Sequence, residues 1–142
     1  MPRRRPIHPV VVGYDGSASS RNALAYASGL ARKLGRPLLM VHVAYVPICG
    51  GPLTISPAGV FDGEKSERWL LSELSQVADR AGMEVHARAR RGSPARELAA
   101  AAAEYSADAL VVGTSASFRR YFPGSVPTWL VNRARCPVIV VP

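Results

Sequence analysis

Two glycine-containing turns hold the residues of this sequence whose types and spacing suit them to binding a ligand. The first runs from Gly13 to Ser17 (GYDGS), and the second extends from Gly113 to Gly124-Ser125. Glycine lets the backbone approach a ligand closely, and each turn leads into a predicted helix whose first amides have no partner inside the helix. Such amides bind phosphate and other anions. The two turns are therefore the parts of a nucleotide site, although neither matches the GxGxxG or the GxxxxGK[ST] fingerprint.

The carboxylate of Asp15 in the first turn has two interpretations. At the end of a strand, it could accept hydrogen bonds from a ribose. The run Asp15-Gly16-Ser17 is also ordinary turn and helix N-cap chemistry, in which side-chain oxygens accept backbone N–H groups. The residues alone leave both interpretations open. Ser125 in the second turn is predicted to be an N-cap in either case.

Other kinds of chemistry lack the residues that they need. Cys49 and Cys136 lie far apart without a CxxC spacing, and His8, His42 and His86 are isolated. The sequence therefore predicts neither a disulfide framework nor a metal site. Cys49 is a redox-sensor candidate, but a free cysteine with no base near it in sequence is more often inert. With no serine elbow and no paired carboxylates in the turns, the chain is predicted not to be an enzyme.

The elements that must position the two turns follow from strand and helix patterns that alternate along the chain. Short apolar or alternating runs predict five strands, Ile7–Gly13, Leu38–Ala44, Met83–Arg90, Ala109–Gly113 and Val138–Val141. Helical spacing predicts four helices, one that follows Ser17 and ends at Leu34, then Glu64–Arg80, Ser93–Tyr105 and Ser125–Arg133. Gly35 and Gly82 are expected to end the first two helices, and Ser93 to cap the third.

Strands that alternate with helices must be joined by right-handed crossovers, which makes the sheet parallel with helices on both faces. The sequence thus predicts a single α/β doubly wound domain over residues 7–142, preceded by a basic tail over residues 1–6. In such a sheet, ligands bind beyond the carboxyl ends of the strands, where the winding reverses. The segment Tyr45–Asp62, rich in proline and glycine, fits no regular element and is expected to be a lid, an interface or a mobile segment.

Length and composition are those of one globular domain. The chain has 142 residues, of which 48% are hydrophobic and 20% charged, and this length suffices for a substantial core. No apolar run approaches the roughly 20 residues that a membrane helix needs. No apolar stretch of signal-peptide length follows Arg3–Arg5. The expected compartment is the cytoplasm, with no membrane partner.

The charge balance is strongly basic. Lysine and arginine total 18 against 10 acidic residues, which gives a net charge of +8. This excess raises the alternative of nucleic-acid binding. However, the arginines are scattered, with local clusters only at Arg3–Arg5 and at Arg88, Arg90 and Arg91, and no aromatic stacking platform accompanies them. Nucleic acid is therefore the last-ranked partner.

The chain resembles the universal stress protein family. The matching segments are, in order, VVGYDGS at Val11–Ser17, LLMVHV at Leu38–Val43, ADALVVGTS at Ala107–Ser115, GSV at Gly124–Val126 and RARCPVIVVP at Arg133–Pro142. The resemblance covers all of the chain except the arginine tail and the segment Tyr45–Asp62. It implies a five-stranded sheet of order 3-2-1-4-5, a dimer, and an ATP site between the first and fourth strands, with magnesium only where nucleotide is bound.

The resemblance also implies which residues form that site. ATP-binding members of the family carry the pattern Gly-x2-Gly-x9-Gly-(Ser/Thr), of which Gly113 matches the first glycine and Gly124-Ser125 the closing pair. Asp15 and Val43 fall where the family contacts the ribose and adenine. The full set of nucleotide-site candidates is Gly13, Tyr14, Asp15, Val43, Gly113, Ser115, Ala116, Arg119, Arg120, Gly124, Ser125 and Val126.

The second turn departs from the family pattern at three places. Ala116 stands where the second glycine is expected, only the seven residues 117–123 separate it from Gly124, and Pro127 replaces a residue that often carries a hydroxyl. Arg119 and Arg120 could compensate by pairing with phosphates, the alternative being a solvated basic loop. These departures leave it open whether ATP is bound, and with it whether the chain has weak ATP hydrolysis.

The last predicted strand is the candidate partner surface. Its residues Val138, Ile139, Val140 and Val141 are all apolar, and the implied strand order places them at an edge of the sheet. Because an uncovered apolar edge strand invites pairing, we expect a homodimer in which this strand pairs antiparallel with its copy.

Three functions therefore stay open. The first is a non-enzymatic stress-response regulator or sensor with a crevice for an adenine nucleotide such as ATP. The second is a nucleotide-free dimeric protein-interaction module of the same fold, which the departures in the second turn favour. The third is a basic protein associated with nucleic acid.

Overall fold

The structure is a computed structural model, which describes residues 5–45, 62–80, 82–114 and 126–142. Strands and helices alternate through these residues. In chain order they are β1 (Val10–Gly13), α1 (Ala18–Leu34), β2 (Leu38–Tyr45), α2 (Gly63–Val77), β3 (Val85–Gly92), α3 (Pro94–Glu104), β4 (Ala109–Gly113), α4 (Val126–Arg133) and β5 (Val138–Val141). Most of the predicted segment Tyr45–Asp62, including Cys49, lies outside the described residues.

The five strands form one parallel sheet in the order β3-β2-β1-β4-β5. In register, Val10 of β1 lies beside Leu38 of β2 on one side and Ala109 of β4 on the other. The predicted fold class and the strand order implied by the resemblance are confirmed. The chain passes from β1 to β2 and β3 on one side of β1, and it then continues with β4 and β5 on the other side. The winding therefore reverses between β1 and β4.

Helices cover both faces of the sheet because successive strand residues point to opposite sides. The first core, between the sheet and helices α1 and α2, contains Val10, Val12, Leu24, Leu38, Met40, Leu70 and Leu74. The second core, between the sheet and helices α3 and α4, contains Val11, Leu39, Val41, Leu98, Leu110, Val126 and Leu130. Strands β1, β2 and β4 thus have apolar residues on both faces, as expected for central strands of a parallel sheet.

Helix α1 has the ends that its sequence predicts. The Ser17 side chain accepts a hydrogen bond from the Ser20 amide at 3.2 Å, so Ser17 is the N-cap. Gly35 ends the helix in the left-handed conformation with φ 64°, where its amide reaches back to the Arg32 carbonyl at 3.2 Å. Glycine suits this position because it has no Cβ to clash.

Strand β1 is shorter than the predicted run Ile7–Gly13. Ile7 is 68% exposed, and His8 adopts φ 49°, so the chain reaches the sheet only at Val10. The reason is that β1 is a central strand, whose residues need N–H groups for the ladder, and Pro9 has none. The apolar character of Ile7 was therefore a misleading signal.

The connection between α2 and β3 also differs from the prediction. Helix α2 ends at Val77 rather than at Arg80, because the backbone at Ala78 is already extended. Gly82 does not cap this helix; with φ 73° it lies in the turn before β3, which begins at Val85 and continues to Gly92. Val77, Ala78 and Met83 all pack against the first core, so burial of these side chains outweighs the helix propensity of the last three predicted residues.

The start of α3 agrees with the prediction in position but not in chemistry. Ser93 is the N-cap residue and Pro94 opens the helix, yet the Ser93 side chain makes no capping hydrogen bond. The Ser93 carbonyl accepts the first backbone hydrogen bond of the helix, from the Glu97 amide at 2.9 Å. Helix α4 is described from Val126 onward, so the predicted N-cap Ser125 lies outside the described part of the chain.

Candidate functional site

The two glycine-containing turns begin at the same edge of the sheet. Strands β1 and β4 are parallel neighbours, with Val12 beside Val111, so their carboxyl ends at Gly13 and Gly113 meet. Within the turn after β1, the Tyr14 amide still donates to the Val41 carbonyl of β2 at 2.9 Å. The crevice expected where the winding reverses is therefore bordered by the turn Tyr14–Ser17 and by the end of β4.

Gly113 allows α1 to begin unusually close to β4. A Cβ built on Gly113 would lie 2.6 Å from the Ser19 carbonyl carbon, a backbone atom in the first turn of α1. No side chain fits there, because real Cβ atoms do not approach backbone so closely. Gly113 thus brings the N-terminal amides of α1 to the crevice.

The turn Tyr14–Ser17 is held by its own side chains. The Asp15 carboxylate accepts a hydrogen bond from the Ser17 amide at 2.9 Å through Oδ1, and Gly16 has φ 85°. This is the turn and N-cap chemistry predicted as one interpretation of Asp15. The other interpretation, a contact between Asp15 and a ribose, stays a prediction.

Below this turn, on the side of the first core, lies a hydrogen-bonded group that the sequence did not indicate. We call it the Glu73 cluster; its members are Tyr14, Arg21, His42, Trp69 and Glu73. The Tyr14 hydroxyl donates to Glu73 Oε2 at 2.7 Å, and the Trp69 indole N–H donates to Glu73 Oε1 at 3.0 Å. Arg21 Nε lies 4.0 Å from Glu73 Oε2, and only 13% of the Glu73 side chain is exposed. Each carboxylate oxygen therefore has a donor in a largely buried setting.

The environment of Tyr14 changes its acidity. Burial, followed by the hydrogen bond to the Glu73 carboxylate, raises the pKa of Tyr14 from 10.0 to about 12. Both causes act in the same direction, since each disfavours a phenolate next to an existing negative charge in a poorly solvated place. Tyr14 therefore remains a neutral hydrogen-bond donor throughout the neutral range.

His42 joins the Glu73 cluster to the backbone of the turn. Its Nδ1 donates to the Tyr14 carbonyl at 2.9 Å, because a carbonyl can only accept. Its ring also meets Trp69 edge-on, with centroids 5.2 Å apart. Sequence reasoning treated His42 as isolated, since its partners lie far along the chain. The spacing of Trp69 and Glu73, four residues apart on one helix face, is the only local signal of the cluster.

The remaining described candidates lie on the other face of the sheet. Val43 and Val126 both belong to the second core or pack against it, whereas the Tyr14 side chain is in the first core. Only the backbone of Tyr14 is therefore available to a ligand that contacts Val43 and Val126. Pro127 occupies the first turn of α4, where a missing N–H costs no intrahelical bond. Six candidates lie outside the described residues, namely Ser115, Ala116, Arg119, Arg120, Gly124 and Ser125.

One member of the arginine cluster on β3 is used within the fold. Arg90 contacts Glu97 at 2.8 Å and Glu104 at 2.9 Å, both on α3. Elsewhere, Arg36 pairs with Asp108 at 2.8 Å. These ion pairs hold Arg90 and Arg36 against carboxylates of the fold, although the net charge of +8 is unchanged.

Metal-binding groups and membrane-spanning helices are both absent from the described residues. Within them, no group of three or more His, Cys, Asp or Glu side chains is arranged to hold a metal ion. Of the helices that the structure describes, none has the length and apolar character required to cross a membrane.

Strand β5 forms one edge of the sheet, and β3 the other. Val140 of β5 is 37% exposed, whereas Ile139 and Val141 pack against the first core and Val138 against the second. The β3 edge carries Arg88 and Arg91. Of the two edges, only β5 is apolar.

Comparison with known proteins assigns the family. The model of the universal stress protein family matches residues 6–142, nearly the whole chain. The chain belongs to the universal stress protein family. The universal stress protein MJ0531 of Methanocaldococcus jannaschii is 29% identical over 136 residues, which cover 93% of this chain and 80% of that protein. Mycobacterial universal stress proteins are 28% identical over 99% of this chain, which spans about half (50%) of their length.

Solved structures of universal stress proteins share the fold. The protein from Archaeoglobus fulgidus in complex with dAMP has a TM-score of 0.67 at 26% identity, over 94% of this chain and 97% of that one. A universal stress protein in complex with cAMP has a TM-score of 0.66 at 25% identity, over 96% of this chain and 97% of that one. This universal stress protein therefore has relatives of similar fold that bind adenine nucleotides.

Proposed function

We propose that this universal stress protein binds an adenine nucleotide in the crevice at the carboxyl ends of β1 and β4. The observation that carries the proposal is the meeting of the two strand ends, with Gly113 bringing the start of α1 against β4. The first-turn amides of α1 and the Asp15 carboxylate border this place, and they are suited to phosphate and ribose respectively. The dAMP and cAMP complexes of two relatives support the same ligand class.

The nucleotide acts as a signal rather than as a substrate. The protein is a non-enzymatic regulator in the cytoplasm, whose partner contacts change with occupancy of the crevice. ATP is the full ligand of this site, with Mg²⁺ entering only with the nucleotide. The base lies on the side of Val43 and Val126, because the other side of the sheet is filled by the Glu73 cluster.

Titration calorimetry with AMP, and with ATP in the presence and absence of Mg²⁺, tests the proposal. We expect saturable heat and a raised melting temperature with at least one adenine nucleotide, since ligand that binds only the folded state stabilises it. GMP is the control for recognition of the base, and ribose 5-phosphate is the control for binding through the sugar and the phosphate alone. No heat and no thermal shift at millimolar nucleotide would leave the nucleotide-free interaction module as the function.

A homodimer through β5 is the second part of the proposal. The apolar edge with exposed Val140 favours it, because an unpaired edge strand presents a row of unpaired N–H and C=O groups. Antiparallel pairing of β5 with its copy would give these groups partners and cover Val140. Sedimentation velocity across micromolar concentrations measures the dimer directly, and a monomer throughout that range would contradict it.

A further inference from the structure

We propose that Trp69 and Glu73 of α2 are positioning residues that fix the conformation of the turn Tyr14–Ser17 and thereby set its affinity for nucleotide. The effect on nucleotide affinity rests on the proposed function, whereas the effect on the conformation of the turn does not. Neither residue lies on the side of Val43 and Val126, so neither is expected to touch the ligand. Both act through the backbone of the turn.

The first step of the argument is that Tyr14 is fixed at both its side chain and its backbone. Its hydroxyl donates to Glu73 at 2.7 Å, and its carbonyl accepts from His42 at 2.9 Å. Its ring also lies against Trp69, with centroids 5.5 Å apart and planes tilted by 51°. Because Tyr14 directly precedes Asp15, its fixed carbonyl determines the direction in which the chain enters the turn.

The second step is that Trp69 supports the turn itself. A Cβ built on Gly16 would lie 3.4 Å from Trp69 Cζ2, so the indole ring lies next to the turn and would be in contact with a side chain at this position. Gly16 has φ 85°, a conformation that the turn needs and that only a few residue types adopt readily. The ring thus borders the turn at Gly16, the residue between Asp15 and Ser17.

The third step is that the Glu73 carboxylate connects Tyr14 and Trp69. Glu73 accepts from Tyr14 with one oxygen and from Trp69 with the other. It is mostly buried, and Arg21 beside it, on α1, contributes a positive charge. Loss of the Glu73 carboxylate leaves the hydroxyl of buried Tyr14 and the indole N–H of partly buried Trp69 without their acceptor, so both rings lose the contact that orients them.

The fourth step separates this role from the packing of α2. The helix is anchored in the first core by Leu70 and Leu74, each fully buried. Those side chains remain when Glu73 is replaced. Truncation at Glu73 is therefore expected to loosen the turn without detaching the helix.

The test uses AMP as the probe and compares Glu73→Ala, Glu73→Gln and Trp69→Phe with the control Gln76→Ala, an exposed position on the same helix. Calorimetry gives the AMP affinity, and amide hydrogen exchange at Gly16 and Ser17 reports the turn directly. Glu73→Gln keeps one carbonyl acceptor, so it should restore part of what Glu73→Ala loses.

We expect Glu73→Ala to weaken AMP binding about tenfold and to speed exchange of the Ser17 amide, with Glu73→Gln intermediate and Gln76→Ala like wild type. Unchanged exchange at Gly16 and Ser17 in folded Glu73→Ala overturns the inference whatever the affinity. Faster exchange with unchanged AMP affinity also overturns it, since the turn would then not govern binding.

The two proposals fail in distinguishable ways. If the wild-type protein binds no adenine nucleotide, the proposed function fails, and the exchange measurement still decides whether α2 fixes the turn. If the wild-type protein binds AMP and Glu73→Ala binds it equally well, the positioning role fails while the nucleotide site stands.

Discussion

Gly113 at the end of β4 and Ser19 in the first turn of α1 are in such close contact that the Cβ of any other residue would lie 2.6 Å from the Ser19 carbonyl carbon. The two residues lie far apart in sequence, yet together they set the distance between the sheet edge and the N-terminal amides of α1. Gly113 is thus required for packing, whichever ligand the crevice takes.

Gly113→Ala is expected to destabilise the fold by about 1–3 kcal/mol, the range for forcing a group into a filled space. Gly29→Ala is the matched control, because a Cβ at Gly29 meets nothing within 4 Å and Gly29 lies inside helix α1. That control should stabilise the protein by about 0.5–1 kcal/mol. Urea denaturation measures both changes, and equal effects at the two glycines would contradict the packing argument.

Replacement of Asp15 separates its two interpretations. Asp15→Asn keeps a side-chain oxygen for the Ser17 amide, whereas Asp15→Ala removes it. Stability should fall by about 1 kcal/mol in the alanine variant and little in the asparagine variant. If the carboxylate also binds a ribose, both variants should lose roughly tenfold or more in AMP affinity. Wild-type affinity in Asp15→Asn would leave Asp15 as a turn residue alone.

The raised pKa of Tyr14 predicts a loss of stability in alkali. Between its usual pKa of 10.0 and the folded value of about 12, the unfolded chain releases the phenol proton while the folded protein keeps it. Stability therefore falls as pH rises through that window, and is fully present below it. Tyrosinate absorbance during a pH titration should show one tyrosine ionising last, and that step should disappear in Tyr14→Phe.

The hydrogen bond to Glu73 contributes to this shift after burial, so Glu73→Gln should lower the pKa of Tyr14 toward 10.0 without restoring it fully. A Tyr14 that titrates with the other tyrosines in the wild-type protein would contradict the burial of this ring.

Val140→Lys is expected to abolish the proposed dimer. A charge at the exposed residue of β5 opposes edge-to-edge pairing, since it would be buried against the partner strand. Ile7→Lys is the control, because Ile7 is also exposed and apolar but precedes the central strand β1. Sedimentation should show a monomer for the first variant and a dimer for the second.

Cys136 is expected to react slowly with alkylating reagents. Burial raises the pKa of its thiol, which lowers the fraction of reactive thiolate at neutral pH. In a Cys49→Ser background, iodoacetamide should modify Cys136 more slowly than it modifies free N-acetylcysteine. A faster reaction would indicate a thiolate stabilised by its surroundings, contrary to the desolvation described above.

The alternation of strands and helices and the parallel sheet could be predicted from the residues alone. Central runs such as Val10–Gly13 and Ala109–Gly113 are apolar on both faces, and the caps of α1 at Ser17 and Gly35 are local hydrogen-bonding chemistry. Signals of this kind depend only on residues that are close together in the sequence. The same signals fail where distant packing competes, as at Ala78, where the helix stops so that Met83 can reach the first core.

The support of the turn Tyr14–Ser17 became visible only in the folded chain. Tyr14 and Glu73 are 59 residues apart, and His42 reaches Tyr14 across 28 residues. No periodicity or motif encodes such pairs, because they depend on which helix covers which strand and on the position of that helix along the strand. The contact between Gly113 and Ser19 likewise depends on how the chain folds. A glycine in the sequence indicates that the backbone can adopt unusual conformations. Only the folded chain shows which atoms occupy the space of the missing side chain.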